Sequence, residues 1–328
     1  MTSIAVRKRY SPARNVGLCF AIAASALFLP APTHATATPQ WLSPTLRDHP
    51  LAGVIVNAQG ETVPESELLA ALASARFAFI GEKHDNPDHH QIELRLIRHR
   101  LASQSGSAVV FEMLDDAQRP ALGSLAPGDT LEQMQQKLAS PTKGWDFAVY
   151  GPLFQASSKD GKLLAGNVGK KFIGEVYAKG EAALAAEPRF STVPSATAQT
   201  RTHFLDRIYE AHCAMAPRDS LGPMVAIQLA KDASMASAMA DNAPALLIAG
   251  GEHVRADTGV PSHLHERDSQ ASRVVIQLVE VTDGETNAKP TVEASGPADF
   301  YWFTPATLPV DNCANVKGRA ATGAASRQ

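Results

Sequence analysis

Residues 77–111 read FAFIGEKHDNPDHHQIELRLIRHRLASQSGSAVVF, and the predicted fold class rests on the pattern of this segment. Its first four residues form an apolar run that predicts a buried strand ending at Gly81. Residues 88–101 place apolar side chains at helical spacing, and residues 108–111 form a second apolar run. A helix of this length between two strands is a crossover connection, so we expect the two strands to lie parallel.

The same alternation of strands and helices continues along the chain. Further strands are predicted at residues 163–165, 245–249, 273–281 and 300–303, with a strand pair around Gly60 in residues 54–63. Further helices are predicted at residues 64–75, 170–179, 200–213 and 224–239, with a helical region at 117–138. Residues 116–140 and 170–220 hold helices with no strand between them. The sequence therefore predicts an α/β fold with a mainly parallel sheet flanked by helices and a smaller helical lobe.

The N-terminus has the pattern of a secretory signal. A basic head precedes the apolar run VGLCFAIAASALFL at residues 16–29, and the small residues of THATA follow it. We expect residues 1–35 to be a cleaved signal peptide that directs the protein to the periplasm, with an uncleaved membrane anchor as the alternative. Cys19 lies inside the apolar run and not at its end, so a lipoprotein is not expected. Residues 36–313 then form the folded domain, and residues 314–328 are a small, polar tail expected to be disordered.

Composition and charge exclude two classes of protein. The 328 residues are 45% hydrophobic, which is enough apolar surface for a large core and excludes disorder as the main state. A pI near 6.4 gives no global basic field, so binding of nucleic acid is not expected. Cleavage after Ala35 leaves 26 basic and 33 acidic groups and two cysteines, Cys213 and Cys313. We expect these two to pair in an exported protein, with two buried thiols as the alternative.

Polar side chains follow four of the predicted strands. They are Glu82 with His84, Glu112, Asn167, and His253. Ligands bind at the carboxyl ends of strands in open parallel sheets, so these residues are expected to face one crevice. Two of the strands continue into the same pattern, G-x-x-H, at residues 81–84 and 250–253. We therefore expect His84 and His253 to converge with Glu82 and Glu112.

The first of these clusters contains three histidines in seven residues, His84, His89 and His90. Such a group could bind a metal or an anionic ligand, and the alternative is that the rings are simply solvated. His89 and His90 are adjacent on a predicted helix and cannot share one face, so they are not a simple bidentate pair. The sequence contains no HExxH or CxxC pattern, so a dedicated zinc site is not expected.

The chain resembles the ChaN-like haem-binding uptake family, in the wider group that includes Tiki-type proteases and erythromycin esterases. The matching segments are GEKHDNPDHHQ (81–91), VVFEML with DDAQ (109–118), GWDFAVYGPL (144–153), LLAGN (163–167), QLAKDASMA (228–236), AGGEHVRADTGVPSHL (249–264) and YWFTP (301–305). The resemblance implies a parallel sheet flanked by helices and a role in haem or iron acquisition at the bacterial envelope.

The resemblance also suggests non-covalent b-type haem with a tyrosine as the axial iron ligand. The mature chain has four tyrosines, at positions 150, 177, 209 and 301. Tyr150 is the preferred ligand, since it lies in a stretch expected to be irregular, and Tyr177 is the next choice. Further contacts to haem are expected from His84, His89, Asn167 and His253. Lys143, Lys170 and Lys171 are equally candidate partners of the propionates.

Three functions remain open on the sequence. The first is a non-catalytic haem carrier or store, working with an outer-membrane haem receptor or an inner-membrane haem transporter and capable of forming a haem-linked homodimer. The second is a hydrolase in which Glu82, His84, Glu112 and His253 act as acid, base or metal ligands. The third is an inactive interaction domain that keeps the family scaffold.

Overall fold

Seven strands form one sheet in the computed structural model, which describes residues 40–138, 145–311 and 313–314. The strands are β1 (Ile55–Asn57), β2 (Phe77–Glu82), β3 (Ala108–Phe111), β4 (Lys162–Ala165), β5 (Ala245–Gly250), β6 (Arg273–Glu280) and β7 (Phe300–Thr304). The predicted signal peptide, the propionate candidate Lys143 and residues 315–328 of the predicted tail lie outside the described residues.

The strand order is β1-β7-β6-β2-β5-β3-β4. All the neighbouring strands pair in parallel except β1, which pairs with β7 in the antiparallel direction at the edge of the sheet. In the centre of the sheet, Ile80 of β2 lies level with Ile248 of β5 and Ile276 of β6. The predicted α/β fold with a mainly parallel sheet is therefore confirmed.

The helices fill the connections between these strands. They are α1 (Glu65–Ser74), α2 (Pro87–Ser103), α3 (Arg119–Leu122), α4 (Leu131–Leu138), α5 (Phe147–Asp160), α6 (Lys170–Lys179), α7 (Ala198–Ala211), α8 (Gly222–Ala240), α9 (Gly251–Val254), α10 (Val260–Arg267) and α11 (Ala288–Ser295). Short 3₁₀ turns cover Gly180–Leu184, Pro188–Phe190 and Arg218–Leu221. In the described part of the chain, no helix combines the length and apolar character needed to cross a membrane.

The alternation of side chains along each strand divides the core into two layers. Ala78 and Ile80 of β2 belong to the layer beneath α1, α2, α4 and α5. Phe77 and Phe79 belong to the opposite layer, which α8, α10 and α11 cover. Both faces of the sheet are thus buried, which explains why its inner strands are continuous apolar runs and do not alternate with polar residues.

A third apolar cluster lies away from the sheet and joins α6, α7 and the first half of α8. Its members include Val176, Phe204, Ile208, Val225 and Leu229. This cluster is the core of the predicted helical lobe at residues 170–220. The other segment considered for a lobe, residues 116–140, instead packs on the sheet, because Met134 and Leu138 of α4 belong to the first core layer.

Helix α5 corrects the expectation that the stretch around Tyr150 is irregular. Asp146 caps the helix by accepting a hydrogen bond from the amide of Ala148, and the helix continues through Pro152 to Asp160. Gly151 and Pro152 read as a break in the sequence. In the structure Gly151 provides space, because a Cβ there would lie 2.6 Å from the Phe147 ring. The sequence analysis also missed α9, α10 and α11.

A disulfide joins Cys213 at the end of α7 to Cys313 beyond β7, as expected from the sequence. The two Cα atoms are 5.5 Å apart, and 100 positions of chain separate the two residues. The bond ties the helical lobe to the C-terminal end of the described chain.

We predict that Cys213→Ser lowers the free energy of unfolding by about 4–5 kcal/mol, because the unfolded chain loses a closed loop of this length. Urea denaturation of the exported wild-type protein and of the variant measures the difference. Reductant should lower the free energy of unfolding of the wild type to that of the variant, and it should leave the value for the variant unchanged. Two free thiols in the intact mass of the non-reduced exported protein would contradict the pairing.

Candidate functional site

The carboxyl ends of β2, β5 and β3 bring four charged side chains together, as the sequence predicts. His84 Nδ1 lies 2.8 Å from Glu82 Oε1, and His84 Nε2 lies 3.7 Å from Glu112 Oε2. His253 Nε2 lies 3.3 Å from Glu112 Oε1. Glu82, His84, Glu112 and His253 are called the carboxyl-edge cluster below. The two G-x-x-H segments converge because their strands are direct neighbours in the sheet.

His253 is held between two carboxylates. Its Nε2 faces Glu112, and its Nδ1 is in a short hydrogen bond with Asp232 of α8. Burial alone would lower the pKa of His253, but Glu112 and Asp232 outweigh it and raise that pKa to about 10. The ring is therefore an imidazolium at neutral pH that compensates two buried negative charges. Asp232 was not singled out from the sequence, although it lies within the segment QLAKDASMA that carries the family resemblance.

Glu112 is the most constrained carboxylate of the cluster. Besides the two imidazoles, it accepts a hydrogen bond of 2.9 Å from the backbone amide of Gly250. A Cβ at Gly250 would lie 2.8 Å from His84 Nε2, so only glycine allows β5 to approach this closely. Burial opposes ionisation of Glu112, but the charge and hydrogen bond of His253 together with the charges of His84 and Lys231 outweigh burial and hold the pKa of Glu112 well below its ordinary value.

Asn167 supports the cluster without facing it. Its side-chain amide donates to the backbone carbonyl of Glu112 at 2.9 Å, and its side-chain oxygen accepts from the amide of Val168. Both polar groups of Asn167 are thus used in positioning the chain after β3 and β4. These contacts give its predicted role in ligand binding no direct support.

Tyr150 donates a hydrogen bond of 2.8 Å from its hydroxyl to Glu82 Oε1. The residue is 2% exposed, and burial together with the charge of Glu82 raises the pKa of its phenol well above the ordinary value. A phenolate is therefore strongly disfavoured at this position in the conformation described. The contacts argue against the predicted assignment of Tyr150 as the iron ligand, because helix α5 turns its hydroxyl into the protein.

His89 also points away from the cluster. Its side chain is fully buried, with Nδ1 accepting from the amide of Lys83 and Nε2 2.9 Å from Thr304 Oγ1. Burial lowers the pKa of His89 to about 4, so the ring is neutral. Both ring nitrogens have partners inside the protein, which leaves neither free for a haem propionate. The next residue, His90, turns towards Glu82 instead.

His84 is the member of the cluster that contacts solvent, with 38% of its side chain exposed. Its ring lies edge-on to Trp145, with the ring centres 4.6 Å apart. Burial opposes protonation of His84, but Glu82 and Glu112 outweigh it and raise the pKa of the ring. The exposed edge of the cluster is therefore an imidazole beside an indole, and its interior is a set of compensated charges.

We predict that His253→Gln lowers the free energy of unfolding by about 3–5 kcal/mol at pH 7, because it leaves Asp232 and Glu112 buried without their countercharge. The folded pKa of His253 lies above its ordinary 6.5, so its stabilisation is present at neutral pH and is lost as the pH rises towards 10. Urea denaturation should show a large difference in the free energy of unfolding between wild type and variant at pH 7, and a smaller difference at pH 10. His265→Gln, at an exposed position of α10, is the matched control. If His253→Gln at pH 7 lowers the free energy of unfolding no more than His265→Gln does, the positive charge assigned to His253 is contradicted.

Comparisons with known proteins place this geometry in a family. The profile of a family described as "Haem-binding uptake, Tiki superfamily, ChaN" matches residues 68–264, a range that includes every member of the carboxyl-edge cluster. Comparison with curated proteins gave no match.

Three solved structures illustrate the structural similarity. A structure described as cofacial heme binding to ChaN of Campylobacter jejuni has a TM-score of 0.61 and 23% identity, and the match covers 76% of this chain and 95% of that one. An erythromycin esterase in its open conformation has a TM-score of 0.39 and 13% identity, with 79% and 84% covered. A type III effector has a TM-score of 0.40 and 12% identity, with 73% and 91% covered. The profile match spans more than half of the chain, and the chain therefore belongs to the ChaN family of haem-binding uptake proteins in the Tiki superfamily.

Proposed function

We propose that this protein binds haem in the bacterial envelope and carries or stores it without chemical conversion. Membership of the haem-binding uptake family is the observation that carries the proposal. The predicted signal peptide supports export to the periplasm. An outer-membrane haem receptor or an inner-membrane haem transporter is the kind of partner that such a carrier would meet.

The charge state of the carboxyl-edge cluster supports binding over hydrolysis. A general base must be unprotonated near neutral pH, but His253 is held as an imidazolium by Asp232 and Glu112. One oxygen of Glu82, Oε1, is occupied by hydrogen bonds from Tyr150 and His84. In this arrangement the charged groups neutralise one another, which favours a structural role for the cluster over the hydrolase alternative.

Tyr177 on α6 is the tyrosine best placed to hold haem iron. It is 54% exposed, whereas Tyr150 and Tyr301 are each 2% exposed with their hydroxyls in internal hydrogen bonds. A phenol at the surface can release its proton to water as its oxygen binds a ferric iron, and no buried charge is then left uncompensated. The structure therefore favours Tyr177, the second choice of the sequence analysis, over Tyr150.

The surface around Tyr177 suits a flat macrocycle. Gly174 lies three residues earlier on the same helix face, and a Cβ built there meets no atom within 4 Å. Lys170, seven residues before Tyr177, is exposed on the same side of the helix, and Lys171 is exposed next to it. We infer that the ring lies over the bare backbone at Gly174 while a lysine pairs with a propionate.

Non-covalent attachment is consistent with the cysteine content. The chain has three cysteines, of which one lies in the predicted signal peptide and two form the disulfide. No thiol of the mature chain is then left for a thioether bond to the haem vinyl groups, and the sequence contains no C-x-x-C-H pattern. The haem is therefore proposed to be of the b type.

Haem bound on an exposed helix face keeps its outer side in contact with solvent. A large apolar surface left in water is unfavourable, and a second copy of the complex is one way to cover it. The Campylobacter jejuni protein is described as binding haem cofacially. We propose the same stacking here, with two haem-loaded chains forming a dimer through their haem faces.

We predict that Tyr177→Phe weakens hemin binding by at least about tenfold, a loss of roughly 1.4 kcal/mol, and removes the ferric high-spin spectrum. Tyr150→Phe should bind hemin nearly as the wild type does, because its hydroxyl serves Glu82 and not the iron. Titration with hemin, followed by the Soret and charge-transfer bands, measures both. If Tyr150→Phe instead loses the spectrum and Tyr177→Phe keeps it, Tyr150 is the axial iron ligand. If only histidine variants lose hemin binding and its spectrum, tyrosine is excluded as the iron ligand.

Gly174→Leu tests the position of the ring independently of the ligand. Glycine is about 0.8–1 kcal/mol less favourable than alanine in a helix interior, and leucine ranks just below alanine, so the variant should be at least as stable as the wild type. Its side chain should nevertheless block the flat surface and weaken hemin uptake. Unchanged uptake by a folded Gly174→Leu protein would contradict the proposed placement on α6.

We predict that hemin converts the mature protein from a monomer to a dimer at one haem per chain. Sedimentation or light scattering with and without hemin measures the mass. Tyr177→Phe should remain monomeric under conditions in which the wild type dimerises. A monomeric haem-loaded wild type would contradict the stacked arrangement while leaving the haem-binding function intact.

A further inference from the structure

A second group of potential ligands lies behind the carboxyl-edge cluster. His90 and Glu93 are three residues apart on α2, so they share one face of the helix, and that face is turned towards Glu82 at the end of β2. One ligand atom from each of the three residues lies within 4.8 Å of the other two. These residues are called the Glu82–His90–Glu93 group below.

Glu93 makes the group unusual. Its side chain is fully buried, and neither carboxylate oxygen has a hydrogen-bond partner. A buried carboxylate without a partner is strongly unfavourable, so its negative charge must be neutralised by a proton or compensated by a cation.

The other two ligand atoms face each other. Glu82 Oε2 and His90 Nε2 are buried and lie 3.0 Å apart. One imidazole nitrogen and two carboxylates are thus gathered within 4.8 Å. Nitrogen and carboxylate oxygen atoms gathered this closely are a donor set that a cation binds.

The two oxygens of Glu82 have different surroundings. Oε1 accepts hydrogen bonds from Tyr150 and His84, which fix the orientation of the carboxylate. Oε2 is left pointing towards His90 and Glu93. Hydrogen bonds to one side of a carboxylate, with the other side free, are typical of the outer contacts that orient a metal ligand. Tyr150, which the structure does not favour as an iron ligand, has a clear role here as a positioning residue.

We propose that Glu82, His90 and Glu93 bind a divalent first-row transition cation of the zinc or manganese class. One imidazole with two carboxylates is a donor set that such ions accept, and a charge of +2 compensates both carboxylates. His90 is the most exposed of the three residues, with 9% of its surface accessible. This site is distinct from the haem surface on α6 and does not depend on the proposed function.

The test uses the mature chain freed of haem, with Co²⁺ as a spectroscopic probe and Zn²⁺ in calorimetry. We expect one ion per chain in the wild type and a rise in the melting temperature on addition of Zn²⁺. Glu93→Gln removes one ligand charge at nearly constant volume, and His90→Gln removes the imidazole. Each should weaken binding by at least about 10–100-fold, the loss seen when even an outer contact of a metal site is removed.

Glu293→Gln is the matched control, because it makes the same change at an exposed position of α11. It should bind Zn²⁺ as the wild type does. Circular dichroism establishes that each variant is folded, and His90→Gln decides the outcome if Glu93→Gln does not fold. Hemin titration of Glu93→Gln should match the wild type, which separates this site from the haem site.

Two results would overturn the proposal. The first is a wild type that takes up neither ion. Stability raised by Glu93→Gln would then indicate that Glu82 and Glu93 share a proton instead. The second is uptake that is equal in the wild type, Glu93→Gln and His90→Gln, which would place the ion elsewhere.

Discussion

The contact between Glu112 and His253 is the interaction on which the architecture of the site depends. It joins the ends of β3 and β5, and the amide of Gly250 completes it from the backbone of β5. Both side chains are almost completely buried, so each is tolerable only because the other is present. Asp232 extends the same compensation into α8 and thereby couples the sheet to its longest covering helix.

This mutual compensation explains why the charged side chains at the edge of the sheet are largely buried from solvent. Glu82, Glu112 and Asp232 are each 4% exposed or less, while His84 is the member that opens to solvent beside Trp145. An interior of this kind can hold a small cation, whereas a macrocycle needs an accessible flat surface. The structure thus holds compensated charges inside the edge of the sheet, and on α6 it has an exposed phenol three residues after an uncovered glycine.

The sequence predicted the parts of the fold that follow from local pattern. Apolar runs defined the inner strands. The two G-x-x-H segments correctly indicated that His84 and His253 converge, and both rings lie beside Glu112. Helix α5 was missed because Gly151 and Pro152 resemble a break, and only packing shows that Gly151 makes room for Phe147. Glu93 was missed for a related reason: a glutamate in a helix is normally solvated, and its burial depends on which side of α2 faces the sheet. The exposure of Tyr177 and the burial of Tyr150 are likewise tertiary properties that spacing along the chain does not contain.

We propose that haem iron is held on the surface of α6 and not in the charged interior. A crystal structure of the hemin-loaded mature protein, with anomalous scattering recorded at the iron edge, tests it most directly. The account predicts an iron peak within bonding distance of the Tyr177 hydroxyl, with the macrocycle over Gly174. An iron peak bonded to Tyr150 or His84 at the carboxyl edge would contradict it.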